Sequence, residues 1–198
     1  QSARITEVLT GLPVQVLPIA FERPGWWPGL QTARKWAADC WRGGLLGACA
    51  FDEDFLAHVL GQLGQRLNAP ALMTVAAHAA WVDPAILDRQ IERYRENWES
   101  MSINFTQAPP GLAGLILARE VIEQLPVTMK FPGSILGYHP DRAQIDLLSK
   151  VCNLPLEPAV VQTNLRFLCD TRRSLALARR LAARLDPDTA DSAAVTSR

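Results

Sequence analysis

The sequence predicts an α/β layer fold with a mainly parallel sheet, on three observations. Short apolar runs of strand length alternate with amphipathic stretches of helix length. At 198 residues the chain is long enough for one well-buried domain. The segment from Ala71 to Trp98 joins the two kinds of element through a turn, the kind of junction at which open α/β sheets bind ligands. One domain is expected over residues 1 to 185. Residues 186 to 198, rich in Asp, Ser, Thr and Ala, have too little apolar surface to fold and are expected to be a disordered tail.

The amino-terminal elements follow from local signals. Ile5, Val8 and Leu9 suit a short helix ended by Gly11 and Pro13. Val14 to Phe21 reads as a strand that Pro18 places at an edge or bend. Glu22 to Leu30 is a loop by its two Pro/Gly pairs, and its Trp26 and Trp27 either plug the core or offer a stacking surface, plugging being the expectation. Gln31 to Trp41 suits a helix with Ala33, Trp36, Ala37, Cys40 and Trp41 inward, closed by Gly43 and Gly44. Leu45 to Phe51 is a strand of small and apolar residues. Asp52 or Asp54 then starts a helix with Phe55, Leu56, Val59, Leu60, Leu63 and Leu67 on one face and His58 beside it.

In the central stretch Leu72, Met73, Val75 and Ala76 form a run suited to a strand covered on both faces. Asp83 caps the next helix and Pro84 opens it, since proline there has no amide hydrogen to leave unsatisfied. That helix carries Leu87, Ile91, Tyr94 and Trp98 on one stripe. Met101 to Phe105 is a short strand, Gln107 to Gly111 a turn, and Ala118 to Leu125 a helix burying Val121, Ile122 and Leu125. Pro126 to Pro158 is irregular, a hairpin or a partner-binding insertion, with Phe131, Ile135, Leu136 and Tyr138 in one segment. Asn164 to Cys169 returns to strand character. Asp170 and Thr171 start a last helix along Leu175, Ala178, Leu181, Ala182 and Leu185.

Composition narrows the partners. Twenty basic residues balance twenty acidic ones, so no electrostatic reason points to nucleic acid or an anionic membrane as the main partner. No apolar run approaches the ~20 residues of a membrane-spanning helix. Cys40, Cys49, Cys152 and Cys169 lie far apart with no zinc or iron-sulfur spacing, which fits a reduced, cytoplasmic compartment. The first residue is Gln1, as in a piece of a larger polypeptide. No Walker-type or GxSxG motif is present.

Two separated stretches resemble one family. WVDPAILDRQIERYRENWESMSINFTQAPPGLAGLILAREVIEQL is similar to the middle of sugar nucleotidyltransferases, in particular CMP-sugar synthetases and the cytidylyltransferase-like proteins of spore-coat polysaccharide synthesis. NLRFLCDTRRSLALARRL resembles that family's closing strand and helix, whose motif reads DTPEDL. The resemblance covers about a third of the chain and implies a three-layer, GT-A-like nucleotidyltransferase fold. It implies a nucleotide or sugar ligand, a protein partner or fused domain such as a radical-SAM module, and Mg2+ in an active member. Hard oxygen ligands suit that ion.

Carried over residue by residue, the resemblance makes Asp170 a metal ligand, with Asp83 beside the central motif. His78 falls where the family has its metal-binding aspartate, and imidazole is a poor magnesium ligand. PPGLAG keeps Pro110, Gly111 and Leu112 but has Ala113 where aspartate is common. Arg172, Arg173 and Ser174 replace the proline, glutamate and second aspartate of the closing motif. Arg23, Gly25 and Gly29 are the counterparts of the family's Gly-rich basic loop, and with His78 and Gly111 they form the nucleotide-binding expectation. Two tryptophans, two prolines and Glu22 suit that loop poorly to cradling phosphate. The expected function is therefore a catalytically altered domain for substrate or partner recognition. The alternatives are an active metal-dependent transferase, using Asp52, Lys35 and Arg172 in addition, and an α/β protein-interaction module.

Overall fold

The computed structural model describes residues 2–22, 25–34, 56–128, 150–163 and 165–184. In chain order these form α1 (Ser2–Val8), α2 (Trp27–Arg34), α3 (Ala57–Arg66), β1 (Ala71–Thr74), α4 (Pro84–Asn97), β2 (Ile103–Thr106) and β3 (Leu115–Ala118). Then come α5 (Arg119–Thr128), β4 (Asn153–Leu154), α6 (Pro158–Val161) and α7 (Arg172–Ala182). Lys35, Asp52, Asp54, the expected strand Leu45 to Phe51, the segment from Phe131 to Tyr138 and the tail lie outside the described residues, as does Arg23.

The architecture is mixed α/β, with helices flanking a sheet that has, among the described residues, four strands in the order β1-β3-β2-β4. The expected mainly parallel sheet is corrected: β3 runs antiparallel to both β1 and β2, and among the described residues β2 with β4 is the one parallel pair. The cause is the connection between β2 and β3, residues 107 to 114. It is shorter than the dozen or more residues a parallel crossover needs. β1 and β2, each antiparallel to β3, are parallel to one another and joined through α4.

Leu115, Ile116 and Leu117 are all buried although successive strand residues point to opposite faces, so β3 is covered on both. α4 packs against β2, β3 and β4, while α3 packs on α5 and β1. Phe105, Leu112, Leu115, Leu117 and Ile122 form the fully buried centre. β1 stops at Thr74, and Val75, expected inside, is exposed. β3 was not anticipated, because LILA is only four residues long and passes into α5 with no turn residue between them.

Asp83 caps α4 as expected, its Oδ1 accepting from the amides of Ala85 and Ile86 at 2.8 and 3.4 Å, with Pro84 first in the helix. Such a cap contributes about 1 kcal/mol. The inward stripe differs from the expected one: Ile86 and Gln90 are buried, whereas Trp98 is 63% exposed. Gln90 Nε2 donates to Asn104 Oδ1 and to the Gly114 carbonyl, and the Gly114 amide donates to Gln90 Oε1. A polar residue therefore holds the middle of the helix face.

α1 ends before Gly11, which has φ +89°. Val14 to Phe21 forms no strand ladder among the described residues, and Val14 and Phe21 are exposed. α2 begins at Trp27, inside the expected loop, because Pro28 is tolerated in a first helical turn. Trp27 is buried against Phe21 and Trp26, at ring separations of 6.4 and 6.1 Å, while Trp26 stays exposed.

Candidate functional site

Three connections meet at one end of the sheet. The turn after β1 carries His78 and Asp83, the turn between β2 and β3 carries Gly111, and residues 165–170 lead into α7. The Asp83 amide donates to the Leu112 carbonyl at 2.9 Å. The Phe167 amide donates to the Pro110 carbonyl and the Cys169 amide to the His78 carbonyl, both at 2.7 Å. The segment from Asn164 to Cys169, expected as a strand, is no strand over its described residues 165–169, and these two bonds tie it to two turns. These bonds bring His78, Asp83, Gly111 and Asp170 into one neighbourhood. Gly25 and Gly29 lie on a separate element, in the turn before α2 and within it.

Gly111 has φ +98° and is covered by the chain itself. A Cβ there would lie 2.7 and 2.8 Å from the carbonyl carbon and oxygen of Phe167. A Cβ at Gly25 or Gly29 meets nothing within 4 Å, and the Gly29 amide already donates to the Trp26 carbonyl.

The electrostatics centre on Asp170. Its carboxylate, 3% exposed, lies 2.6 Å from Arg166 Nη2, and its other oxygen accepts from Ser174 Oγ at 3.4 Å. Thr171 rather than Asp170 caps α7: its Oγ1 accepts from the Ser174 amide, and the Thr171 amide donates to Ser174 Oγ. The Asp170 charge is thus held against a guanidinium and a hydroxyl, and Oδ1 of Asp83 is held by amides. Among the described residues, no group of three His, Cys, Asp or Glu side chains is placed to hold a metal ion. Arg166 was missed in the sequence, because the rule that pairs residues four apart holds on a helix and this segment is extended.

Because Arg166 is a quarter exposed, this pair contributes less than a fully buried one. Asp170→Asn is expected to lower stability by about 1–3 kcal/mol, chiefly by leaving the guanidinium without its charge partner. Urea titration of the variant checks this, with Arg166→Met/Asp170→Asn expected to recover part of the loss.

Beside the ion pair lies a pocket of about 220 Å³, walled by Trp81, Leu165, Phe167, Leu177 and Leu181, with Arg166 and Ser174 at one side. Cys152 is buried in the core, where desolvation pushes its thiol pKa up, so it behaves as an apolar packing group. Comparison with protein-family models, curated proteins and solved structures yields no match to this chain.

Proposed function

We propose that this chain is a divergent, three-layer nucleotidyltransferase-like domain, altered at its metal-binding positions, that recognises a nucleotide, a sugar or a protein partner instead of transferring a nucleotidyl group. The observation that supports it is the pairing of Asp170 with Arg166. In the resembling family that aspartate would meet a divalent cation. Here a guanidinium sits on the carboxylate, and a cation would have to displace it. His78 in place of the other aspartate adds an imidazole, which prefers softer metals than magnesium. The domain keeps the connections that shape a cleft, carries His78 in place of one oxygen ligand, and holds the other, Asp170, on a guanidinium where a metal would neutralise a leaving pyrophosphate.

The test is a pair of measurements on the purified chain. Pyrophosphate release from each common nucleoside triphosphate, with candidate sugar acids and sugar phosphates and with Mg2+, is expected to stay at background. Thermal unfolding with the same nucleotides and sugar phosphates is expected to show any shift equally with and without Mg2+. A ligand at a hundredfold excess over its Kd adds about 2.7 kcal/mol of stability. Magnesium-dependent release, abolished by Asp170→Asn, would overturn the proposal in favour of an active transferase.

A further inference from the structure

α7 presents a basic face whose composition works against the helix itself. Its inner stripe, Ser174, Ala178 and Leu181, is half-buried, and every other residue from Arg172 to Arg184 is exposed. At 100° per residue, Arg172, Arg173, Arg179 and Arg180 fall within an arc of about 120° on the outer side, with Ala176 at its centre. Arg184, exposed in the turn that closes the helix, lengthens the row to about 18 Å at 1.5 Å per residue. Leu175 and Leu177, 40% and 54% exposed, stand about 40° beyond the two edges of the arc. No acidic residue lies between Thr171 and Arg184. Among the described residues none of the five arginines is in a salt bridge, and Asp170 is already held by Arg166.

Local energetics disfavours this arrangement. Arg172 and Arg173 stand in the first turn, where the helix macrodipole repels cations and no acidic residue offsets them. Arg180 and Arg184 form a like-charge pair four residues apart. Taking the five arginines from the chain's twenty basic residues leaves fifteen against twenty acidic ones. The neutral sum of the sequence thus conceals an excess of positive charge on one helix and an acidic remainder. Charges that weaken the element carrying them are the kind of local conflict that proteins keep at functional surfaces.

We infer that the outer face of α7 is a docking surface for an anionic lipid bilayer, met at the level of its phosphate headgroups. Other polyanionic or helix-binding partners suit the face less well. It carries no aromatic ring or side-chain amide on which a base could stack or be read, and the acidic remainder of the chain opposes extended contact with nucleic acid. A protein groove that takes a helix reads its apolar stripe, and here that stripe is turned to the chain's own side. A plane of headgroups needs neither feature. It meets one straight row of cations, and guanidinium binds phosphate through two parallel hydrogen bonds. Leu175 and Leu177 point about 100° away from the centre of the arc, so the contact stops at the headgroups without entering the acyl layer. This inference does not rest on the nucleotidyltransferase-like reading.

The test is co-sedimentation of the chain with vesicles of phosphatidylcholine alone and of phosphatidylcholine with about a third phosphatidylserine. Binding is expected only to the second, and raising salt from about 0.05 to about 0.5 M should abolish it. Each arginine near such a surface changes affinity about fivefold, so Arg172→Ala/Arg173→Ala should weaken binding about 25-fold. The same variant should unfold at a temperature equal to or above that of the native chain, because it removes two cations from the wrong end of the dipole. Arg66→Ala/Arg95→Ala removes the same charge from exposed positions on α3 and α4, and should change binding by less than about twofold. The full chain is used throughout, so Asp186, Asp188 and Asp191, which follow in the sequence, act on every form alike.

The inference is overturned if the chain binds neither vesicle at low salt, if it binds both equally, or if the control pair lowers binding as much as the α7 pair. A lower unfolding temperature for Arg172→Ala/Arg173→Ala would show that these arginines serve the fold, and would overturn it as well. Single-stranded RNA that displaces the chain from phosphatidylserine vesicles, and loses its hold on the same variant, would assign the face to nucleic acid instead.

Discussion

Gly111→Ala is expected to lower the stability of this chain by about 3–4 kcal/mol. Two terms add. A residue with a Cβ at φ +98° occupies a backbone region that disfavours L side chains by about 1–2 kcal/mol. The added methyl would also stand 2.7 and 2.8 Å from backbone atoms of Phe167 and 3.0 Å from Leu168 Cδ2. Leu168 can turn its methyl away. The Phe167 backbone cannot retreat without stretching its 2.7 Å bond to the Pro110 carbonyl, so the overlap is expected to cost about 2 kcal/mol more. Chemical denaturation checks the total, and hydrogen exchange at the Phe167 and Cys169 amides checks the location. Gly61→Ala in α3, where a Cβ meets nothing within 4 Å, is the control and should stabilise by up to about 1 kcal/mol. If Gly111→Ala falls within 1 kcal/mol of the native chain, the turn does not hold the closing segment in place.

What could be read from the sequence divides by the range of the interaction responsible. Asp83 before Pro84 announced the start of α4, because both effects act within one turn of backbone. Gly11 and the end of α1 were legible for the same reason. β3 was not, since Leu115 to Ala118 is only four residues long and passes into α5 with no turn residue between them, and only pairing with β1 and β2 makes it a strand. The direction of that pairing was decided by eight connecting residues, whose length was visible before their consequence was. Trp98 was placed inside because periodicity favours it. The helix turns Ile86 and Gln90 inward instead, a choice fixed by contacts with Asn104 and Gly114 that no local pattern contains.

The candidate site was legible in its backbone and not in its charges. The central and closing segments were singled out together in the sequence, and in the structure they are joined by the bonds from Phe167 to Pro110 and from Cys169 to His78. Asp170 was read as a metal ligand or a helix cap. Thr171 takes the cap, and Arg166, on an extended segment rather than a helix, reaches the carboxylate. The pocket beside α7 depends on Trp81 meeting Leu165 and Leu177, residues far apart in sequence with no shared period.

Gln90→Leu should produce a loss comparable to that at Gly111, from the middle of the core. Gln90 is fully buried, and its amide makes three hydrogen bonds: two donated to Asn104 Oδ1 and the Gly114 carbonyl, and one accepted from the Gly114 amide. Leucine matches the volume and supplies none of them. The donor and acceptors left behind are buried, and each such group costs about 1–3 kcal/mol, so a total of about 3–5 kcal/mol is expected once partial relaxation is allowed for. Replacing Asn104 by leucine as well removes one of the stranded acceptors, and the double variant should lose at least about 1 kcal/mol less than the two single losses added together. The consequence reaches the site. Gly114 leads into β3 where a Cβ would stand 3.0 Å from the Thr74 carbonyl oxygen, and Gln90 fixes the end of the 107–114 turn that carries Gly111. Loosening it should raise amide exchange at Asp83, whose bond to the Leu112 carbonyl depends on the same turn. A stability loss below about 1 kcal/mol, or unchanged exchange at Asp83, would show that the turn is held by its apolar neighbours alone. The cleft would then depend on packing around Leu112 and Phe167 instead of on this polar clamp.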